Sequence, residues 1–242
     1  MVKIKNIFLA LLVFSSWISF SQVTEGYIRY ERRMNLFKKY PDKDSQRWIG
    51  EKNKYSTDHF FLYFNDSSSV YIPDPDEEKN EIMKWLVLQH SMIQNFNTMQ
   101  NVSLLNIYGQ VVVIEDQLRP RAWKYTGKIR TIANYECKQV LLDVNDTTTL
   151  YAWFTTDIIP QVGPENFWGL PGAILGVASE DGRITYFATE VVEKKVDLEK
   201  VKPKYSNKKA GDFKALKERV AKEFTQKEAK PLVNEIMIWQ YY

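Results

Sequence analysis

Residues 174–196 read ILGVASEDGRITYFATEVVEKKV, two apolar-rich runs on either side of Asp181-Gly182. Both residues of that dipeptide accept positive φ, so an Asp-Gly step between two such runs is a strong short-range signal for a β-hairpin. Consecutive antiparallel pairing is therefore the first expectation, and the neighbouring segments repeat it. VSLLNIYG (102–109), QVVVIED (110–116), AWKYTG (122–127), KIRTIANYECKQVLLDV (128–144) and TLYAWFTTDI (149–158) are strand candidates separated by polar turns. GYIRYERRM (26–34) alternates with period two, and HFFLYF (59–64) with SVYIP (69–73) flanks the polar turn NDSS. Two helices are expected. One spans Glu81–Asn97, from Ile82, Trp85, Leu86, Met92, Ile93 and Phe96, and the other carries the stripe Phe213, Leu216, Val220, Phe224. NEIMIWQYY (234–242) closes the chain as a last strand or docked tail. The sum is a mainly β (α+β) fold, a single antiparallel sheet with two helices packed on it.

The first residues predict an address. Lys3 and Lys5 precede an apolar segment, Ile7 to Phe20, too short to cross a bilayer, and Ser19 and Ser21 stand at −3 and −1 before Gln22. Residues 1–21 therefore read as a secretory signal peptide and 22–242 as one domain. No cysteine follows that cut to carry a lipid anchor, and no later stretch approaches the ~20 apolar residues of a transmembrane helix. The expectation is an exported protein, periplasmic or secreted, soluble and not a lipoprotein.

The formal charge of +3 falls to +1 once the two signal-peptide lysines are set aside. Residues 200–230 hold eleven Lys or Arg against four Asp or Glu, a local +7 that leaves −6 for the remainder of the mature chain. A solvated basic helix accounts for this run, and its lack of interleaved aromatics argues against nucleic acid. A 14% aromatic share supplies an ample core. Cys137, the only cysteine, cannot form an internal disulfide and reads as a small buried hydrophobe.

Groups that would carry chemistry are sparse. His59 and His90 are the only histidines, and neither has metal-ligand or triad spacing, so each reads as a surface or half-buried residue and no metal or cofactor is expected. Asp157 is the best single carboxylate but lacks a neighbouring acid or base, which makes turn stabilisation its expected role. PDPDEEKNE (73–81) carries a charge of −4 and reads as an exposed acidic loop, without the Gly and Glu of a calcium loop. No catalytic residue is assigned.

The least ordinary stretch is NFWGLPGAILG, 166–176. Pro171 presets φ and Gly172 accepts positive φ, so Leu170-Pro171-Gly172-Ala173 reads as a type II turn. Leu and Pro occupy the tip where a nucleophile would stand, and the exit is strand-like rather than helical, so Gly169, Leu170, Pro171 and Gly172 read as a structural corner. RAWKYTGKIRTIANYECKQV (121–140) followed by YAWFTTDIIPQVGPENFWGLPGAILGV (151–177) resembles the GLPGLI family of exported Bacteroidetes proteins, with a weaker echo in GYIRYE. Two positions depart: Ala173 stands where the family has Leu, and Asn134 replaces the Gly before Tyr-x-Cys, a swap that still suits positive φ. The resemblance implies a periplasmic or outer-membrane setting, often alongside TonB-dependent receptors, and a curved half-barrel similar to that of periplasmic lipoprotein carriers.

A non-enzymatic binding or accessory protein of the cell envelope is therefore expected, holding a hydrophobic small molecule or lipid. Trp153, Phe154, Phe167 and Trp168 are the candidate lining residues. The first alternative is a partner protein of an outer-membrane TonB-dependent receptor. The last is a hydrolase whose carboxylates meet only in space.

Overall fold

Eleven short β-prone runs joined by tight turns pair into one antiparallel sheet. The structure, a computed structural model, describes residues 22–78, 83, 86–107, 110–145, 148–206, 211, 214–216 and 218. Its strands are β1 (Gly26–Asn35), β2 (Tyr55–Phe64), β3 (Ser68–Pro73), β4 (His90–Asn95), β5 (Gln100–Ile107) and β6 (Gln110–Gln117). They continue as β7 (Lys124–Ile132), β8 (Tyr135–Asn145), β9 (Thr148–Thr155), β10 (Ala173–Ser179) and β11 (Ile184–Glu193). The spatial order is β6-β5-β4-β3-β2-β1-β11-β10-β9-β8-β7, so every pair except β1–β11 joins strands adjacent in sequence. Short helices α1 (Leu36–Lys39) and α2 (Lys43–Ile49) fill the β1–β2 connection, and α3 (Leu198–Val201) follows β11.

Chain connectivity forces this sheet to curve. Its two edges, β6 and β7, are consecutive in sequence and joined only by Leu118–Trp123. A flat sheet of this width would separate them by about 48 Å at the usual strand spacing. A connector of this length reaches only about 25 Å when fully extended. The sheet must therefore bend until its edges approach, which gives the expected half-barrel, open because β6 and β7 do not pair.

Turn chemistry fixes the registers. Asn65 closes β2–β3 by accepting from the amides of Ser67 and Ser68 at 3.0 and 2.9 Å. Ala133 and Asn134 both have positive φ, 48° and 68°, and make the two-residue turn between β7 and β8. This corrects the expected single strand over 128–144, which is a hairpin, while the expected break at 127/128 is only a register shift inside β7. At the quoted hairpin only Gly182 has positive φ, 66°. The loop is four residues long, closed by Gly182 N–H to Ser179 O at 2.9 Å. The Asp-Gly step thus marks the hairpin correctly while the turn is longer than the two-residue form.

Other expectations change. Within 81–97, His90–Asn95 is strand β4, with alternate residues buried and Val70↔Ile93 and Ile93↔Val102 among its pairs. Met83 and Leu86 are helical, while 79–82 and 84–85 lie outside the described residues. The buried face of β4 is His90, Met92 and Gln94, and two polar residues on it conceal the period-two alternation from an apolar count. Of the C-terminal stripe, Leu216 is helical and buried. Phe213, Val220, Phe224, the segment 234–242, the signal-peptide residues and much of the basic run lie outside the described residues. The acidic loop is tied down, since Asp74 accepts from Arg29 at 3.1 Å and Glu77 accepts from the His59 amide at 2.9 Å.

The Gly-Leu-Pro-Gly corner is tighter than a type II turn. Gly172 N–H donates to Leu170 O at 2.7 Å, and the Ala173 amide bonds instead to Ile158 O at 3.1 Å. Gly172 has φ 130°, and a Cβ there would stand 1.9 Å from the Thr155 carbonyl oxygen. Gly169 has φ 86°, and a Cβ there would meet no heavy atom within 4 Å. The two glycines therefore differ: one needs conformation only, the other needs conformation and space. Gly172→Ala is expected to cost more than about 4 kcal/mol or abolish soluble expression, and Gly169→Ala about 1–2 kcal/mol, measured by urea unfolding.

Candidate functional site

Strand alternation puts Arg32 of β1 on the same face as Tyr30 and Met34, an apolar side where a guanidinium needs partners. The register supplies them, with Asp58 of β2 and Tyr186 of β11 directly opposite Arg32. Arg32 donates through Nε and Nη2 to Asp58 Oδ2 at 3.0 and 2.9 Å, and through Nη2 to Leu88 O at 2.9 Å. Glu165 arrives from the 156–172 loop, 3.6 Å from Arg32 Nη1, and accepts the Tyr186 hydroxyl proton at 2.5 Å. All four residues are 2% exposed or less. Glu165 also adopts φ 49°, a conformation costing a non-glycine residue about 1–3 kcal/mol unless its surroundings enforce it. Through its ion pairs and hydrogen bonds, this cluster holds the loop inside the curved sheet.

His90 packs in the same interior at 2% exposure, which corrects its expected surface or half-buried placement. Burial, reinforced by the Arg32 and Lys39 cations, pushes its pKa down to about 3. Burial likewise lowers Arg121 to about 9, opposed by the Glu165 carboxylate, and raises Cys137 to about 12, so that thiol is an inert core group. His59 lies on β2 with Nδ1 3.1 Å from Glu77 Oε1. Asp157 is exposed after β9, and its carbonyl accepts from the Val23 amide at 2.9 Å.

The four aromatics singled out in sequence do not converge. Trp153 and Phe154 are successive in β9 and point to opposite faces. Trp153 packs on Phe187 at 5.5 Å with Arg130 over both rings. Phe154 meets Tyr125 edge-on at 6.0 Å, and Phe167 is fully buried beneath Trp123 and the Arg121 guanidinium. Trp168 differs from the other three because it lines a pocket.

That pocket, about 190 Å³, lies under the connector that joins the two sheet edges. Its polar wall is Asn101, Asp116, Arg119, Arg121, Asp143 and Asn166, and Leu118, Pro120, Ala122, Leu142 and Trp168 give it an apolar side. The connector is fastened to the loop by Arg121 Nη2 donating to Asn166 O at 3.1 Å and Trp123 Nε1 donating to Trp168 O at 3.4 Å. Asp116 accepts from Arg119 at 3.2 and 3.3 Å, and Asp143 from Lys124 at 2.7 Å. Two buried wall atoms, Arg121 Nη1 and Asn101 Oδ1, have no hydrogen-bond partner. Sequence reasoning missed this site because its parts come from four distant segments. Arg32, alone among apolar neighbours in the alternation of β1, was the available signal that a buried counter-charge must exist.

Comparison with known proteins gives fold without function. The family described as "Protein of unknown function (Porph_ging)", associated with Bacteroidetes, matches residues 138–176, the stretch from β8 through the corner. No curated protein matches the chain. Two solved structures of PNGF-II, in C2 and P21 space groups, are similar at TM-scores of 0.56 and 0.55 with 15% and 14% identity. Each similarity covers 81% of this chain but only 32% of PNGF-II, so the chain spans about a third of that protein's length. At such identity the likeness is one of fold.

The cluster generates two expectations. Glu165→Gln should cost about 3 kcal/mol, the low end for breaking a buried pair, because Arg32 keeps Asp58. The second concerns pH. The unfolded chain protonates His90 near 6.5 and the folded chain only near 3, so between these values the unfolded state binds more protons and stability falls as pH falls. His90→Gln should flatten the stability–pH slope in that window by up to about 1.4 kcal/mol per pH unit, read from urea midpoints.

Proposed function

We propose that the protein is an exported, non-enzymatic binding component of the bacterial cell envelope, and that its ligand is a small polar molecule held in the pocket beneath the β6–β7 connector. One observation carries this reading: a pocket whose wall joins an aromatic residue to convergent polar groups, two of them buried without partners. Buried polar atoms left unmade cost free energy that a hydrogen-bonding ligand recovers. Pockets with an apolar wall and a few placed polar groups are the usual form of small-molecule sites. The signal-peptide pattern of residues 1–21 and the resemblance to GLPGLI proteins support the envelope setting. Among the described residues no helix is long and apolar enough to cross a membrane.

An acyl ligand draws less support, because Trp153, Phe154 and Phe167 are spent on core packing on two faces. A receptor-accessory role draws no support from the large exposed apolar residues, since Trp48, Val111, Tyr125 and Ile129 sit on three separate elements.

Mature protein from an exporting host, studied by native mass spectrometry, should carry a bound polar species of low mass. The species should be lost from the Trp168→Ala and Asn101→Ala variants and retained by Trp153→Phe. A bound lipid retained by both pocket variants would overturn the reading.

A further inference from the structure

We propose that the pocket recognises an acylated α-amino carboxylate with an apolar side chain, the chemistry of an N-acyl amino acid or of a peptide's C-terminal residue. The inference rests on the pocket being the ligand site and adds the class of ligand.

Most of the hydrogen-bonding capacity of the pocket wall is already used within the protein. Asp116 and Arg119 already satisfy one another, and Asp143 accepts from Lys124 and from the Thr149 hydroxyl at 3.2 Å. Asn166 is engaged through Oδ1 with Gln94 and through Nδ2 with Ser103. Arg121 uses one guanidinium nitrogen on the Asn166 carbonyl and one face on the Phe167 ring, 4.5 Å from the centroid. Its Nη1 remains, a cationic donor without an acceptor. Asn101 uses Nδ2 on Ser103 Oγ at 3.0 Å, and its Oδ1 remains, an acceptor without a donor, in a residue only 6% exposed.

A ligand that completes both must bring an oxygen acceptor for a guanidinium and an N–H or O–H donor for an amide oxygen. Guanidinium groups bind carboxylates more strongly than neutral acceptors, because the hydrogen bond is charge-assisted. A carboxylate with an amide N–H on the adjacent carbon supplies both groups in one short unit. The apolar side formed by Leu118, Leu142 and Trp168 then receives the side chain of that carbon. Asn101 and Arg121 both line the pocket and their two unpaired atoms are buried in its wall, so binding includes a side-chain adjustment that brings them to the ligand. Capture of a terminal carboxylate is a recurring mode of peptide recognition.

The test is an NMR titration of the full mature chain, following the backbone amides of Asn166, Phe167 and Trp168. Three probes are used: N-acetyl-L-leucine, N-acetyl-L-leucine amide and the tripeptide Ala-Ala-Leu with a free carboxyl. The acid is expected to shift these amides with a Kd on the order of 1 mM, typical of a fragment of this size. The amide should bind at least about ten-fold more weakly, since a charge-assisted bond is lost. Comparable binding of the tripeptide would mark peptide C-termini as a source; exclusive binding of the acid would mark the free N-acyl amino acid.

Arg121→Gln should erase the difference between acid and amide. Arg121→Lys, which keeps the charge, should retain part of it if the Gln variant does not fold. Equal binding of acid and amide, or no shift from any probe up to about 20 mM, would overturn the proposal. A co-purifying ligand that lacks a carboxylate yet depends on Trp168 and Asn101 would overturn it too, while leaving the broader polar-pocket reading in place.

Discussion

A guanidinium inside a β half-barrel is the constraint from which the rest of this structure follows. Moving an isolated cation from water into a protein interior costs several kcal/mol even after relaxation, so Arg32 is tenable only with counter-charges at hydrogen-bonding distance. One is local to the sheet, Asp58 directly across on β2. The other, Glu165, must be delivered by a loop from the far side of β9, and its delivery fixes that loop. Glu165 takes a left-handed backbone conformation, Gly163 packs its α-carbon where a Cβ would lie 2.4 Å from the Phe167 carbonyl, and Gly172 passes under the Thr155 carbonyl. The small residues of this motif thus serve one end: they let a backbone press close enough to the sheet for a carboxylate to reach Arg32 and Tyr186.

Once seated, the loop organises what surrounds it. Phe167 and Leu170 enter the core with Val140, Leu142 and Ala152, while Asn166 and Trp168 turn toward the β6–β7 connector. That connector closes the distance between the two sheet edges and bonds to the loop through Arg121 and Trp123. Loop seating and pocket formation are therefore coupled, on a sheet whose curvature the connector already requires. The pocket has no independent existence in any single strand or hairpin, and a ligand bound there touches all three pieces.

What could be read from the sequence follows the range of the interactions involved. Hairpins were legible because turns are local: Asn65, Asn134 and Gly182 each announce a reversal within four residues. Consecutive antiparallel pairing was legible from the count and rhythm of strands, and the half-barrel only through the family resemblance. Strand β4 was not, because its buried face is His90, Met92 and Gln94, where two polar residues hide the alternation, and only pairing with β3 and β5 reveals it. The aromatics were readable as core in general but not as separate cores, since Trp153 and Phe154 divide between two faces. The buried cluster was half legible. Arg32 stands out among Ile28, Tyr30 and Met34, but nothing near it in sequence names Glu165, which lies more than a hundred residues away. Asn101, Arg121 and Trp168 meet only through the closed topology, so the pocket was beyond any reading of motifs.

Hydrogen–deuterium exchange of the 162–174 amides, in the native chain and in Glu165→Gln, tests most directly whether the buried cluster seats the loop. The Phe167, Gly172 and Ile174 amides donate to Pro164, Leu170 and Val162 carbonyls, so their protection reports loop seating. In the native chain these amides are predicted to exchange only with global unfolding, as slowly as β1 and β2. In Glu165→Gln they are predicted to exchange by local opening while β1 and β2 still report global stability. Protection that falls equally in the loop and in β1 and β2, or stays unchanged in the loop, would contradict the account.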